Sequence, residues 1–425
     1  MSSDNNCIRF DLDIKDENIV FNDYFYKMIQ KKKCKVYKAE AIQRFCPYCS
    51  SSDLLHNGHL TTNIRYITAN ASHPVFIRLA KQRVKCRHCG RRSMAQSSIA
   101  DKYCSISKAA KLKVLSALTE DRSMTSIARE NNVSVNTVQR VLGSCSHHFV
   151  ASYDYLPAHL AFDEFKGVDR QLHFICLDGN SHQVIQILRA RYKKTLLKYF
   201  GRFSPQARAN VKTVTMDLNF YYQNIVRACF PNAKIVIDRF HMIQMLTRSF
   251  NSLRVQTMKK FDKRSREYQL LKSPWKLYLK KFDELEKVHP RYNWHYKDCL
   301  TQEQVVMEGL SSSPILENSY NLMQSFIKAV ETGNTKLLEE LIFTKEPIGQ
   351  LMHKTLLTFK HNLKAVLNGA ALTYSNGCLE GFNRKIKQIE RTAFGYSSFT
   401  NLLTRIRLEE NLYKEKEPTS LLLAA

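Results

Sequence analysis

The stretch Val214–His241, VTMDLNFYYQNIVRACFPNAKIVIDRFH, decides how the chain folds. It opens as a short apolar strand ended by Asp217, and the apolar spacing of Phe220–Phe230 then predicts a helix. KIVIDRF, Lys234–Phe240, is a further short strand, and it too ends in an acid, Asp238.

Working upstream, LAFDEF from Leu160 reads as a strand carrying Asp163. Lys166–Arg170 makes a turn, LHFICLDG is a second strand ended by Asp178-Gly179-Asn180, and QVIQILRA is a third. Strands joined by turns this short are antiparallel neighbours. Tyr192–Phe203 reads as a helix leading into the opening stretch. The order β-β-β-α-β-α-β, with one acid in the first strand and another at the tip of the fourth, is that of a ribonuclease-H-like domain. Those two strands are adjacent in that fold, so Asp163 and Asp217 are expected to converge at one sheet edge.

Downstream, His241–Thr373 is basic, helix-patterned and almost free of strand signals, and it holds both tryptophans, Trp275 and Trp294. An interruption falls at Ser311–Pro314. The stretch reads as an all-helical insertion. After it comes YSNGCLEGFNRKIKQIERTAFGY, Tyr374–Tyr396, in which Leu379, Phe382, Ile386 and Ile389 form an apolar stripe. Glu380, Arg384, Lys387 and Arg391 form a second stripe away from the first. An ordinary amphipathic helix with a solvated face would show both stripes, and strand-end aspartates and helix-start glutamates often serve turns and helix dipoles. The conjunction of Asp163, Asp217 and Glu380 carries the sharper reading. Three such acids can hold two Mg²⁺ or Mn²⁺ ions, which prefer hard oxygen ligands. Two metals roughly 4 Å apart support in-line phosphoryl displacement. Arg384, Lys387 and Arg391 would then hold a DNA backbone beside them. The tail after Arg407 reads as polar and peripheral.

Lys and Arg number 65 against 38 Asp and Glu, a formal net charge of +27 that calls for a polyanionic partner. No run of 18 apolar residues exists and MSSDNNCIRF lacks the marks of a signal peptide, so the reading is a cytoplasmic, nucleoid-associated protein without a membrane partner. Of 12 cysteines, four sit in Cys46-x-x-Cys49 and Cys86-x-x-Cys89, the thiolate set of a structural Zn²⁺ site. Alternating residues between the pairs predict short strands of a zinc-ribbon-like module, although the 36 intervening residues exceed a compact ribbon, and His56, His59 or His88 could replace one thiolate. Residues 1–40 carry no assignable function. Thr125–Leu142, TSIARENNVSVNTVQRVL, fits a helix-turn-helix with Asn132 at the turn and Ser134 as N-cap. That leaves Asn136, Thr137, Gln139 and Arg140 to face a DNA groove.

Over nearly its whole length the chain resembles the DDE transposases of the bacterial insertion-sequence family IS-L-three, with kinship to Mutator-like transposases. The paired knuckles, the helix-turn-helix, AFDEFKG, VTMDLNFYYQNIVRACFPNAKIVIDRFH and SNGCLEGFNRKIKQIERTAFGYSSFTNLLTRI carry the likeness. It implies metal-dependent DNA cleavage and strand transfer at the terminal inverted repeats of a mobile element, with Asp163, Asp217 and Glu380 as catalytic acids. Asp238 and His241 look like the D-x-x-H motif after the fifth strand. Element ends and target DNA would be the partners, met by a homodimer or larger assembly. The expected fold is multidomain α+β: an N-terminal region (1–100) with the zinc module (41–95), a helix-turn-helix domain (101–150), and a ribonuclease-H-like α/β core. The core would comprise 158–240 and the C-terminal helix region 374–415, split by the insertion at 241–373. The rival reading is a non-catalytic DNA-binding regulator or domesticated relative.

Overall fold

The computed structural model describes residues 3–29, 31–67, 73–146 and 152–410. The chain divides into two compact units, Met1–Val150 with Ile386–Ala425, and Ala151–Lys385. Among the described residues no helix is long and apolar enough to cross a membrane.

In the first unit a short helix α1 (Ser3–Asp11) precedes a sheet of β1 (Ile19–Ile29), β2 (Lys32–Ala41), β3 (Leu54–Tyr66), β4 (Val75–Cys86) and β5 (Arg92–Met94). The order is β1-β2-β4-β3, with β5 also on β4. Residues 1–40, unassigned from sequence, thus supply a helix and a long hairpin, and β2 runs parallel to β4. The strands between the cysteine pairs are long rather than short: β3 and β4 pair antiparallel from Leu54–Cys86 to Tyr66–Val75. That hairpin accounts for the wide gap between the knuckles. One sheet face buries Ile19, Phe21, Ala39, Ile64, Ile77 and Leu79 with Leu12, Ile14 and Ile99.

Three helices follow, α2 (Lys108–Ala117), α3 (Met124–Glu130) and α4 (Val135–Cys145). The turn between α3 and α4 is made as expected: Asn132 has φ 50°, and the Ser134 hydroxyl caps α4 by accepting from the Thr137 N–H at 3.2 Å. Loss of such a cap costs about 1 kcal/mol. Ile127, Val138 and Leu142 form the core of this bundle, and Leu408 from the helix Phe399–Glu409 joins it. The segment just past Arg407 is therefore packed, not peripheral; residues 411–425 lie outside the described residues. Arg405 is buried with Glu409 at 2.5 Å and also donates to the carbonyls of Glu120 and Arg122.

The second unit opens with β6 (His159–Lys166), β7 (Leu172–Asp178) and β8 (Val184–Leu188), then α5 (Lys193–Phe200), α6 (Pro205–Ala209), β9 (Thr213–Met216), α7 (Phe220–Cys229) and β10 (Lys234–Ile237). The sheet order is β10-β9-β6-β7-β8. β6, β7 and β8 are antiparallel neighbours, while β9 lies parallel to both β6 and β10. This order is consistent with the ribonuclease-H-like core expected. Phe162 stacks on Phe200 at 5.5 Å and meets Phe174 edge-on at 5.0 Å, in a core shared with Phe230 and Tyr222. Truncating any such ring to alanine costs about 3–5 kcal/mol.

A helical region follows: α8 (Arg239–Met258), α9 (Arg266–Lys272), α10 (Gln302–Leu310), α11 (Pro314–Thr332), α12 (Thr335–Ile342), α13 (Gln350–His361) and α14 (Leu363–Ala371). It is not all-helical. Arg291–Asn293 and Asp298–Leu300 pair as a small antiparallel hairpin, whose turn carries Lys297 at φ 51°. The expected interruption is a helix boundary, with Ser313 capping α11 and Pro314 in its first turn, where a missing N–H costs nothing. The chain returns to the sheet through α14, which packs on β10 so closely that a Cβ on Gly369 would strike the Ile237 carbonyl oxygen. Arg239 fixes that return by donating to the carbonyls of Gly369 (2.8 Å), Ala370 (3.0 Å) and Leu372 (2.6 Å). A cation at a helix C-terminus meets the negative end of its dipole. The last helix bearing a candidate acid, α15 (Gly377–Thr392), starts just beyond.

Candidate active site

The register of three parallel strands builds the site. Ala161 lies opposite Thr215, and Ile237 opposite Met216. Continuing that register sets Asp163, inside β6, beside Asp217, and Asp217 beside Asp238, the last two falling just past the ends of β9 and β10. At Asp163 the β6–β9 ladder has already stopped while the β6–β7 ladder continues, so its side chain sits where β9 gives way to the loop that carries Asp217. Asp163 and Asp217 are both half-buried. Asp163 accepts from the Glu164 N–H at 2.7 Å and from the Asn383 amide at 2.8 Å. Burial, reinforced by the Asp217 charge, pushes the Asp163 carboxyl up to about 6. Burial also raises Asp217, with His241 opposing and Asp238 adding to the effect.

Asp238 differs from its neighbours. It is 4% exposed and caps α8, accepting from the His241 N–H at 3.1 Å and from the Asn376 N–H at 2.9 Å. His241 in turn sets Nδ1 3.4 Å from Asp217. Asn376 reaches the Phe162 carbonyl at 3.3 Å, so the start of α15 is held against β6 and β10 together. The apolar stripe of α15 is buried as expected, Leu379, Phe382, Ile386 and Ile389 all being 8% exposed or less. Its other stripe, Glu380, Arg384, Lys387 and Arg391, is exposed. Glu380 lies 3.7 Å from Arg384, and Asp163, Asp217 and Glu380 do not all lie within 4.8 Å of one another. The geometry thus brings the two aspartates together, while Glu380 stands on the exposed first turn of the helix whose Asn383 binds Asp163.

Sequence reasoning missed Asn376 and Asn383. Asn383 follows Glu380 by three residues, a spacing that puts both on one helix flank. It also missed the support beneath Asp163: Glu164 accepts two bonds from Arg191 at 2.9 Å and one from the Tyr222 hydroxyl at 2.6 Å.

The raised Asp163 pKa has a measurable consequence. Between about pH 4 and 6 the folded chain keeps a proton that the unfolded chain has released, so stability falls as pH rises through that window. Asp163→Asn in metal-free protein is expected to stabilise the fold above pH 7 by about 1–3 kcal/mol. The gain should vanish toward pH 4. Thermal unfolding across that range checks it, and an unchanged midpoint at high pH would refute it.

The four cysteines form the metal-capable cluster among the described residues, their sulfurs all within 4.8 Å. Cys46 lies 3.6 Å from Cys89, and Cys49 lies 3.6 Å from Cys86. A tetrahedron with Zn–S near 2.3 Å has edges of roughly 3.8 Å, so the donor set fits Zn²⁺. The two knuckles are copies of one turn. Ser50 donates to the Cys46 carbonyl at 2.9 Å and Gly90 to that of Cys86 at 3.0 Å, with φ of 60° and 69°. Backbone N–H groups of Cys89 and His88 pull the Cys86 thiol down, whereas burial and the neighbouring sulfurs push its contact partner Cys49 up. His56 and His59 instead contact each other at 3.3 Å, and His59 contacts Glu40 at 2.6 Å.

On α4, Asn136, Gln139 and Arg140 are exposed, whereas Thr137 is 6% exposed and does not face solvent. Its hydroxyl contacts the Ser134 cap at 3.0 Å and accepts from Arg140 at 3.3 Å, orienting that guanidinium.

Two family models match this chain. One, described as "Transposase", covers residues 160–406, and one described as "Helix-turn-helix domain of transposase family ISL3" covers residues 95–142. A "Transposase for insertion sequence element IS1001" from Bordetella parapertussis is 22% identical over 349 residues, 78% of this chain and 80% of that protein. An "ATP-dependent protease" from Lactococcus lactis subsp. lactis is 35% identical over 109 residues, 26% of this chain and 35% of that protein.

Proposed function

This chain belongs to the transposase family ISL3, and from that premise we propose that it binds the terminal inverted repeats of an insertion sequence and cleaves and joins DNA there. The observation that carries the reading is the row of Asp163 on β6 with Asp217 and Asp238 just past β9 and β10, tied to α15 through Asn376 and Asn383. The sheet order supports a ribonuclease-H-like core.

In this reading Asp163, Asp217 and Glu380 hold Mg²⁺ or Mn²⁺. When bound, two such ions supply an activated oxygen nucleophile and a stabilised leaving oxygen. Asn383 holds the Asp163 carboxylate in place, and Glu164, Arg191 and Tyr222 brace the strand that carries it. Asp238 and His241 fix the start of α8 against Asp217. Glu380 stands on the exposed first turn of α15, three residues before the Asn383 that binds Asp163. Residues 41–95, with structural Zn²⁺, and 101–150 read the element ends, and Arg384, Lys387 and Arg391 hold the DNA backbone. The protein works on the nucleoid in the cytoplasm, as a homodimer or larger assembly when two ends are paired.

The test is incubation of the full chain with labelled duplex carrying an element end, in Mg²⁺, in Mn²⁺ or in chelator. Metal-dependent nicking at the end supports the reading. Tight end binding with no cleavage in either metal would favour the binding-only regulator.

Recognition has its own expected result. Arg140→Ala and Gln139→Ala should each reduce discrimination between element ends and random duplex, since a good base contact is worth about 1–3 kcal/mol. Arg391→Ala should weaken binding to all sequences and lower the salt slope by about one. Equal losses of both affinities in the Arg140 variant would show that α4 does not read bases.

A further inference from the structure

We infer that the outer half of the β1–β2 hairpin is a binding surface for unpaired DNA. The inference rests on the reading that DNA is the substrate, but it concerns a surface of the first unit that the proposed chemistry does not use. Strand register puts Tyr24 opposite Tyr37, Tyr26 opposite Lys35 and Met28 opposite Lys33. These residues continue the sheet face whose inner half buries Phe21 and Ala39 in the core. Beyond Tyr37, which is 4% exposed, the face emerges into solvent: Tyr24 is 49% exposed, Tyr26 50% and Met28 62%.

What emerges is a run of rings interleaved with cations. Tyr24 lies 6.0 Å from Tyr37 and 6.4 Å from Tyr26, and Tyr26 meets His73 at 5.7 Å. Lys35 sits over Tyr24 at 4.5 Å and over Tyr37 at 4.7 Å, and Lys33 over Tyr26 at 4.8 Å. The acids of these two strands, Asp23 and Glu40, fall on the opposite face, where Asp23 pairs with Lys38 at 3.4 Å.

The mixture selects the occupant. A protein partner of an apolar face would leave two lysines desolvated, which is costly. A DNA duplex offers phosphates but keeps its base faces stacked and out of reach. An unpaired strand offers both: bases stack on Tyr24 and Tyr26 while Lys33 and Lys35 move from the rings to the phosphates. The hairpin tip is also held beside the helix-turn-helix, where Lys32 donates to the Asn132 side chain at 2.8 Å. A strand leaving a duplex gripped by α4 would therefore find the hairpin in the same unit.

The test uses the full chain with labelled oligothymidylate of about 20 nucleotides, which spans one or more typical single-strand sites. A duplex carrying an element end and an oligouridylate of equal length serve as comparisons. Tyr24→Ala with Tyr26→Ala should weaken single-strand binding about tenfold or more, given about 1–3 kcal/mol per stacked base. Duplex binding should stay within about twofold. Tyr24→Phe with Tyr26→Phe should retain single-strand binding, because the ring faces remain. Zinc content and circular dichroism check that the variants fold. Should they not, photo-crosslinking of wild-type protein to bromodeoxyuridine-substituted strand decides: adducts at Tyr24 or Tyr26 support the inference, and adducts confined to other peptides overturn it. It is also overturned by an unchanged single-strand affinity, by a parallel loss on duplex, or by tighter binding of the RNA. Wild-type protein that binds no DNA at all would sink the wider reading instead.

Discussion

Cys46→Ser combined with Cys89→Ser is expected to abolish zinc binding and unfold the module at residues 41–95. The two substitutions remove both sulfurs of one 3.6 Å contact and leave one thiolate on each knuckle. Apparent binding free energies of structural zinc are about 10–16 kcal/mol, as large as the about 5–15 kcal/mol net stability of a typical domain. The apolar core of the module, Ile64, Ile77 and Leu79, lies toward the far end of the β3–β4 hairpin from the knuckles. Cys86 ends β4, the strand that pairs with β2, β3 and β5, so the loss reaches the centre of the sheet. Zinc content should fall from one ion per chain to none, and proteolysis should cut within 41–95. Binding to element ends should weaken, while Ala151–Lys385 expressed alone stays folded on its own aromatic core. Unchanged zinc in the double variant would refute the four-thiolate site.

What could be read in advance was local. Asn132 and Ser134 announce the α3–α4 turn because positive φ and an N-cap are properties of single residues. The strand order of the second unit was legible because each apolar run stops at its own acid or turn. The β1–β2 hairpin was not, because lysines and tyrosines dilute its alternation and its parallel partner β4 lies far along the chain. Thr137 was misread for a related reason. Helical phase places it near the groove-facing side, but its hydroxyl is drawn in by Ser134 and Arg140. Asn376 and Asn383 act only through the seating of α15 on β6, which no single segment encodes. The position of Glu380 belongs to the same class: periodicity put the acid on a stripe, and the structure leaves it exposed beside Arg384, apart from Asp163 and Asp217.

Asp217→Asn is expected to abolish metal-dependent cleavage as completely as Asp163→Asn or Glu380→Gln, a loss of at least about a thousandfold, or about 4 kcal/mol of barrier. Asp217 and Asp238 compete for the role, since both follow short parallel strands. Their surroundings differ. The Asp217 side chain is 45% exposed, open to an ion and to solvent, with His241 3.4 Å away. Asp238 is buried, and each of its oxygens already accepts a backbone N–H, from His241 and from Asn376. Turning it toward an ion would release both N–H groups, at about 1–3 kcal/mol for each left unsatisfied. Asp238 is therefore expected to hold α8 and the start of α15 rather than to bind metal. In Asp238→Asn one oxygen is replaced by an amide that faces an N–H donor, so the unfolding midpoint should drop and cleavage should fall less steeply than in Asp217→Asn. End binding should survive in the Asp163, Asp217 and Glu380 variants, whose changes lie outside α4 and the zinc module. Near wild-type cleavage by Asp217→Asn, beside a folded but inactive Asp238→Asn, would transfer the second metal ligand to Asp238.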